Sequence, residues 1–175
     1  IADRSVTALV VLKDGKLVFD DYYLGTSPDD LRINWSVSKS YLSILFGILL
    51  NEGTIASLDD PVTQYAPLLI GSAYDGATIR TVLQMSSGVT FDEDYLKFSS
   101  DIDKMGRVLA SGRSMDHFTA DLTERDGPAG ERWKYVSIDT HVVGMVIRGA
   151  TGRDLAALMT EKVIGPLGLE ADPYF

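Results

Sequence analysis

The sequence predicts an α/β chain of the α+β type: an N-terminal antiparallel β-hairpin over residues 1–24 and a mostly helical region over residues 25–175. Three observations carry this prediction. Residues 6–12 form a nearly continuous apolar run, Asp14-Gly15 supplies a tight turn and residues 17–23 return, the pattern of two strands joined by a short loop. Beyond Gly25 the apolar residues recur at mostly helical spacing between turn signals. No second β-rich stretch is left to pair with the hairpin.

The elements follow in order. Strands that are apolar on both faces belong inside a covered sheet, and a hairpin of two strands is marginal alone, so further strands are expected outside these residues. Arg32-Ile33-Asn34-Trp35 reads as extended, and residues 36–50 read as a helix closed by Gly53 at C′. Apolar side chains surround that helix almost completely, which predicts a buried helix. A transmembrane reading fails, because Ser43 and Gly47 interrupt a stretch already short of the roughly 20 residues a bilayer needs. Asp59-Asp60-Pro61 opens a short helix with proline near its first position, Gly88 and Gly112 read as C-terminal stops, another helix ends at Ala150-Thr151-Gly152, and residues 155–163 form one more. There are no internal repeats or low-complexity segments, so the pieces belong to one assembly.

A chain of 175 residues, 45% hydrophobic and 23% charged, can bury one sizeable core. A net charge of −9 argues against nucleic acid and anionic membrane surfaces as partners, since both call for clustered Lys and Arg. The absence of cysteine excludes disulfides, thiolate chemistry and cysteine-ligated zinc. The first residue is Ile1 rather than Met, so the visible start says little about a targeting segment.

Ser36-Val37-Ser38-Lys39 is where chemistry is expected. Residues i and i+3 share a helix face, so the Lys39 amine can reach the Ser36 hydroxyl unaided. At a helix start, unpaired N–H groups and the positive end of the dipole favour an alkoxide and disfavour an ammonium. Burial against Tyr41 and Leu42 would push the amine further toward its neutral form. That is a nucleophile with a built-in base.

Trp35-Ser36-Val37-Ser38-Lys39-Ser40 resembles the first motif of the serine β-lactamase-like superfamily, and further landmarks occur in the family's order. Residues 78–88, TIRTVLQMSSG, resemble its T-I-R-x-L-L-x-H-T-S-G segment, with Met85 where His is usual. Residues 130–137, GERWKYVS, are similar to its G-x-x-W-x-Y-x-N motif, and residues 164–169, IGPLGL, to its P-L-G-M turn. The resemblance spans nearly the whole chain and is nearest to the class C-like branch that holds 6-aminohexanoate-dimer (nylon oligomer) hydrolases and carboxylesterases of this fold.

The resemblance implies a β-lactamase/transpeptidase-like fold whose remaining strands, with a third motif (K-T-G or a variant), lie beyond this chain, which then reads as the N-terminal part of one catalytic unit. It implies a serine hydrolase with no cofactor and no metal, acting on small esters or linear amides. Ser36 is the nucleophile; Lys39, or Tyr135 as phenolate, takes its proton, and Tyr135 more readily relays protons, since a phenol ordinarily titrates near 10. The Ser36 backbone N–H gives half of an oxyanion hole. Tyr95, in Phe91-Asp92-Glu93-Asp94-Tyr95, matches a substrate-contacting tyrosine of the nylon oligomer hydrolases; read by its residues alone, the loop is an exposed acidic turn with an aromatic packed beneath it. Its acids lack the ligand spacing of a calcium loop. Ser137 departs from the usual Asn: it meets Lys39 or substrate, or it N-caps a helix starting at Ile138. That departure weakens a β-lactam or peptidoglycan substrate.

Other catalytic arrangements lack anchors. His117 and His141 have no H-x-x-x-H pattern or Cys partners for zinc, and His141, among Val142, Val143 and Met145, reads as a packed residue. There is no G-x-S-x-G elbow, and Gly149-Ala150-Thr151-Gly152 is a helix terminus, not a phosphate loop. The alternatives are a D-alanyl carboxypeptidase or class C β-lactamase and, from another class, a non-catalytic binding or sensor relative. Oligomeric state, a homodimer included, and compartment, whether cytoplasmic, periplasmic or secreted in a bacterium, stay open.

Overall fold

The computed structural model describes residues 4–169, 171 and 173. Two compact units divide the chain, Ile1–Trp35 and Ser36–Phe175.

The first unit is the hairpin, β1 (Ala8–Lys13) against antiparallel β2 (Lys16–Tyr22). Asp14 and Gly15 both take positive φ, 52° and 72°, the turn whose twist matches that of the strands it joins. Pairing runs from Ala8 opposite Tyr22 to Lys13 opposite Lys16, and the register shifts between Val11, opposite Phe19, and Leu12, opposite Leu17. Val18 is the extra residue, a bulge that sharpens the local twist. Among the described residues the sheet has these two strands only, and Val10, Leu12, Leu17 and Val18 are exposed. The covered strand faces expected from their apolar sequence are therefore not met here. Thr26 donates its hydroxyl to the Thr7 carbonyl at 2.6 Å, tying the end of the hairpin to its beginning.

The second unit is helical: α1 (Ser38–Asn51), α2 (Val62–Tyr65), α3 (Ile79–Leu83), α4 (Asp101–Ala110), α5 (Met115–Ala120), α6 (Ser137–Thr151), α7 (Leu155–Met159) and, after a π turn at Thr160–Ile164, α8 (Gly165–Leu167). α6 is its axis. Ile138, Val142 and Ile147 are wholly buried, and α1, α2, α3, α5 and α7 all pack on this helix. Side-chain oxygens of Thr78, Ser100, Ser114 and Asp154 accept backbone N–H groups in the first turns of α3, α4, α5 and α7, which satisfies donors that the helix leaves unpaired.

Three expectations are corrected. α1 begins two residues late, after a 3₁₀ turn at Trp35–Val37, and only one of its faces is buried. Leu45, Phe46 and Leu49 enter the core, whereas Ile44 is 51% exposed and Ser43 and Gly47 are open. Gly53 does close it, at φ 75°, with Gly53 and Thr54 N–H groups returning to Leu50 and Leu49. Gly88 does not stop α3. That helix ends with Met85 in the left-handed region, φ 56°, its N–H on Val82 and the Ser86 N–H on Thr81; this is the two-bond closure usually made by glycine. Gly88, at φ 77°, is needed for a different reason: a Cβ there would lie 2.2 Å from the Gly127 carbonyl oxygen.

The close approach at Gly88 belongs to a ladder of backbone bonds. Thr90 N–H donates to Glu124, Asp126 to Gly88, Gly130 to Ser86 and Lys134 to Met85, at 2.7–3.0 Å. This ladder carries residues 124–134 back along residues 85–90 and delivers Tyr135 to the start of α6.

Candidate active site

Ser36 lies in the 3₁₀ turn and Lys39 in the first turn of α1. Lys39 Nζ donates to Ser36 Oγ at 3.0 Å, as the i,i+3 spacing requires. Tyr135, 99 residues further along the chain, donates its phenol to the same oxygen at 2.8 Å. Lys39 Nζ also stands 5.5 Å from the centre of the Tyr135 ring. One hydroxyl oxygen is thus held by an amine and a phenol together.

Partial burial pushes the Tyr135 phenol up, but its hydrogen bonds with Ser36 and Lys39 and the lysine charge outweigh that, leaving it below its ordinary 10. An acidified phenol in contact with both hydroxyl and amine can pass a proton between them. Beside Lys39, a hollow of about 70 Å³ opens among Leu42, Val82, Met85 and Val143. Met85 lines it.

Ser137 is almost fully buried and is the first residue of α6; Val136, not Ser137, holds the N-cap position. Its backbone N–H and hydroxyl both donate to the Glu93 carboxylate, the hydroxyl at 3.2 Å. Tyr95 is 67% exposed, so no packing beneath the acidic turn is seen. The two aspartates of that loop are spent locally: Asp92 accepts from Asp94 N–H and Lys97, and Asp94 accepts from Leu96 N–H. Among the described residues no group of three or more His, Asp or Glu could hold a metal ion, and no helix is long and apolar enough to cross a membrane.

Sequence reasoning missed the polar cluster beneath Ser137. Asp139 is wholly buried, accepts the Tyr74 hydroxyl at 2.7 Å on Oδ1, and has no partner for Oδ2. Burial drives this carboxyl up to about 7, against the opposing pull of the Tyr74 hydrogen bond. Tyr74 in turn is raised well above 10 by burial and by the Asp139 charge. A signal existed: Asp139 is an acid one position from Ile138 and three from Val142 in a helix whose apolar residues surround it. His141 is a packed residue as expected, half-buried with Nε2 2.7 Å from Asp116, which also accepts both guanidinium nitrogens of Arg148.

A short hairpin in sequence before a helical unit that sets an S-x-x-K helix start against a Y-x-S segment is the β-lactamase-like fold. The chain belongs to the Beta-lactamase family, whose profile matches residues 2–172. It is 34% identical over 167 residues to the 6-aminohexanoate-dimer hydrolase of Paenarthrobacter ureafaciens, an alignment covering 91% of this chain and 42% of that protein. A structure from Bacillus anthracis, provisionally assigned as a 6-aminohexanoate-dimer hydrolase, superposes with a TM-score of 0.79 at 20% identity, covering 93% of this chain and 44% of the other. A D-stereospecific amidohydrolase from Streptomyces sp. gives a TM-score of 0.62 at 28% identity over 78% of this chain and 42% of its own. The chain therefore spans less than half the length of the relatives it matches.

Proposed function

We propose that the protein is a serine hydrolase that forms an acyl-enzyme on small carboxylic esters or linear amides, 6-aminohexanoate oligomers among them. The observation that carries this reading is the Ser36 oxygen shared by Lys39 and Tyr135. Lys39 as free amine, or Tyr135 as phenolate, takes the Ser36 proton; Oγ then attacks the carbonyl carbon. The Ser36 backbone N–H faces the oxyanion, and a donor of this kind is typically worth about 2.7–4 kcal/mol of transition-state stabilisation. Tyr135 returns the proton to the departing alcohol or amine, and water, deprotonated along the same route, releases the acid. The 34% identical relative is named as a hydrolase of the 6-aminohexanoate dimer, a linear amide. Ser137, whose hydroxyl is given to Glu93, lacks the amide fork that a β-lactam site would place there.

The test is intact-mass spectrometry of the full-length protein after brief exposure to p-nitrophenyl acetate, with nitrophenol release followed in parallel. A transient acetyl adduct with continuing release, absent in Ser36→Ala and slowed at least about 100-fold in Tyr135→Phe, is the expected result. Folded protein with no adduct would sink the esterase reading and favour a non-catalytic binding relative.

A further inference from the structure

The Glu93 carboxylate reaches 44 residues along the chain to take the backbone N–H and the hydroxyl of Ser137 at the start of α6. That N–H is one of the donors a helix leaves unpaired, and an anion there is favoured by the helix dipole. The loop that carries Glu93 is pinned on its other side as well. Phe91 is buried, Asp92 N–H donates to the Asp101 carboxylate at 2.9 Å, and the Asp92 carbonyl accepts from Ile102 N–H at the start of α4.

Glu93 precedes Tyr95 by two residues, and Ser137 follows Tyr135 by two. Their two bonds join the segment that carries Tyr95 to the segment that carries Tyr135. Asp139, two residues further on in the first turn of α6, cannot take over the anchoring, because it is buried against Tyr74 and Ser87 with one oxygen unpartnered. The charged neighbours are Glu93 itself and Lys134, and Lys134 is engaged with Asp126 at 2.5 Å. Glu93 is left as the anion of this helix start.

We propose that Glu93 is a positioning residue for the reaction: its bond to Ser137 fastens the Tyr95 loop to the Tyr135 segment and so holds the Tyr135 phenol within reach of Ser36. Its departure frees the segment before α6, and a displacement of the phenol by about 1 Å is enough to cost up to about 100-fold in rate. The inference rests on the acyl-enzyme reading above.

Full-length Glu93→Ala, Glu93→Gln, Ser137→Ala and the double variant Glu93→Ala/Ser137→Ala are assayed for kcat, KM and thermal midpoint, beside Ser36→Ala and Arg148→Ala. Arg148 anchors α6 at its other end, so Arg148→Ala reports plain destabilisation: a lower midpoint with wild-type kcat below it. For Glu93→Ala we expect kcat to fall about 10- to 100-fold with KM changed less than about 3-fold. Glu93→Gln, which still accepts the Ser137 N–H, recovers most of the rate, and the double variant is no slower than Glu93→Ala, because the hydroxyl bond that Ser137→Ala removes is one of the two already lost with the Glu93 carboxylate. Wild-type kcat in Glu93→Ala alongside an inactive Ser36→Ala overturns this proposal alone, as do fully additive losses in the double variant. Turnover by Ser36→Ala overturns the acyl-enzyme reading and this proposal together.

Discussion

Asp139 makes the folding stability of this protein depend on pH in a direction opposite to that of ordinary carboxylates. A carboxyl at about 7 in the folded chain and 3.8 when unfolded binds its proton more tightly in the folded state. Its contribution is fully present below pH 3.8 and is lost as pH rises through about 7; integrated over that window, the loss is about 4 kcal/mol. Roughly 2.5 kcal/mol of it falls between pH 5 and 8. Asp139→Asn keeps the shape, still accepts the Tyr74 hydroxyl and has no proton to lose. Urea denaturation of full-length wild type and Asp139→Asn at pH 5, 6, 7 and 8 reads the difference directly, since Glu93, Lys134 and Tyr74 face the site equally in both proteins. The wild type is expected to lose about 2.5 kcal/mol relative to the variant across this range. A stability difference constant within about 0.5 kcal/mol across the series would refute the reasoning, because it would mean that the buried carboxyl does not titrate there.

Two further changes test the frame around the site. Gly149→Ala places a Cβ 1.7 Å from the Tyr65 carbonyl oxygen, where α2 crosses α6; a loss of about 3 kcal/mol or more is expected in urea denaturation, and a midpoint unchanged from wild type would mean the crossing is looser than described. Arg148 holds the Asp116 carboxyl below its ordinary 3.8, so this pair contributes stability above pH 3.8 that is lost as pH falls through the folded value. Asp116→Asn should cost about 1–3 kcal/mol at pH 7 and progressively less below pH 4, measured by the same denaturation; a cost that persists undiminished in acid would assign the effect to packing.

Local chemistry was legible in the sequence, and long-range chemistry was not. Asp14-Gly15, Gly53, Gly112 and Gly152 announced a turn and three helix ends because glycine occupies positive φ without strain. Met85 hid the end of α3 by taking that conformation without being glycine, and Gly88 was misread because its need is a carbonyl 39 residues away. The Ser36–Lys39 contact follows from helical spacing alone. Tyr135 reaches Ser36 over an irregular ladder between residues 85–90 and 124–134 that leaves no period in the sequence, so only its motif pointed there. Glu93 was lost among neighbouring acids that bond within their own loop, and the exposure of Ile44 could not be read from a helix apolar on every side.

α6 is fastened near both ends: Glu93 and Tyr74 hold its first turn, and Asp116, through His141 and Arg148, together with the Gly149 crossing, holds the rest. Each residue turns an α-helix by about 100° and advances it 1.5 Å. Inserting or deleting one residue between Asp139 and Arg148 would therefore swing one set of attachments away from its partners while leaving composition nearly untouched. Substitution at α6 positions away from those attachments leaves them in phase, whereas the length of the helix between them behaves as a fixed quantity, and changes of length fit better in the loops outside it.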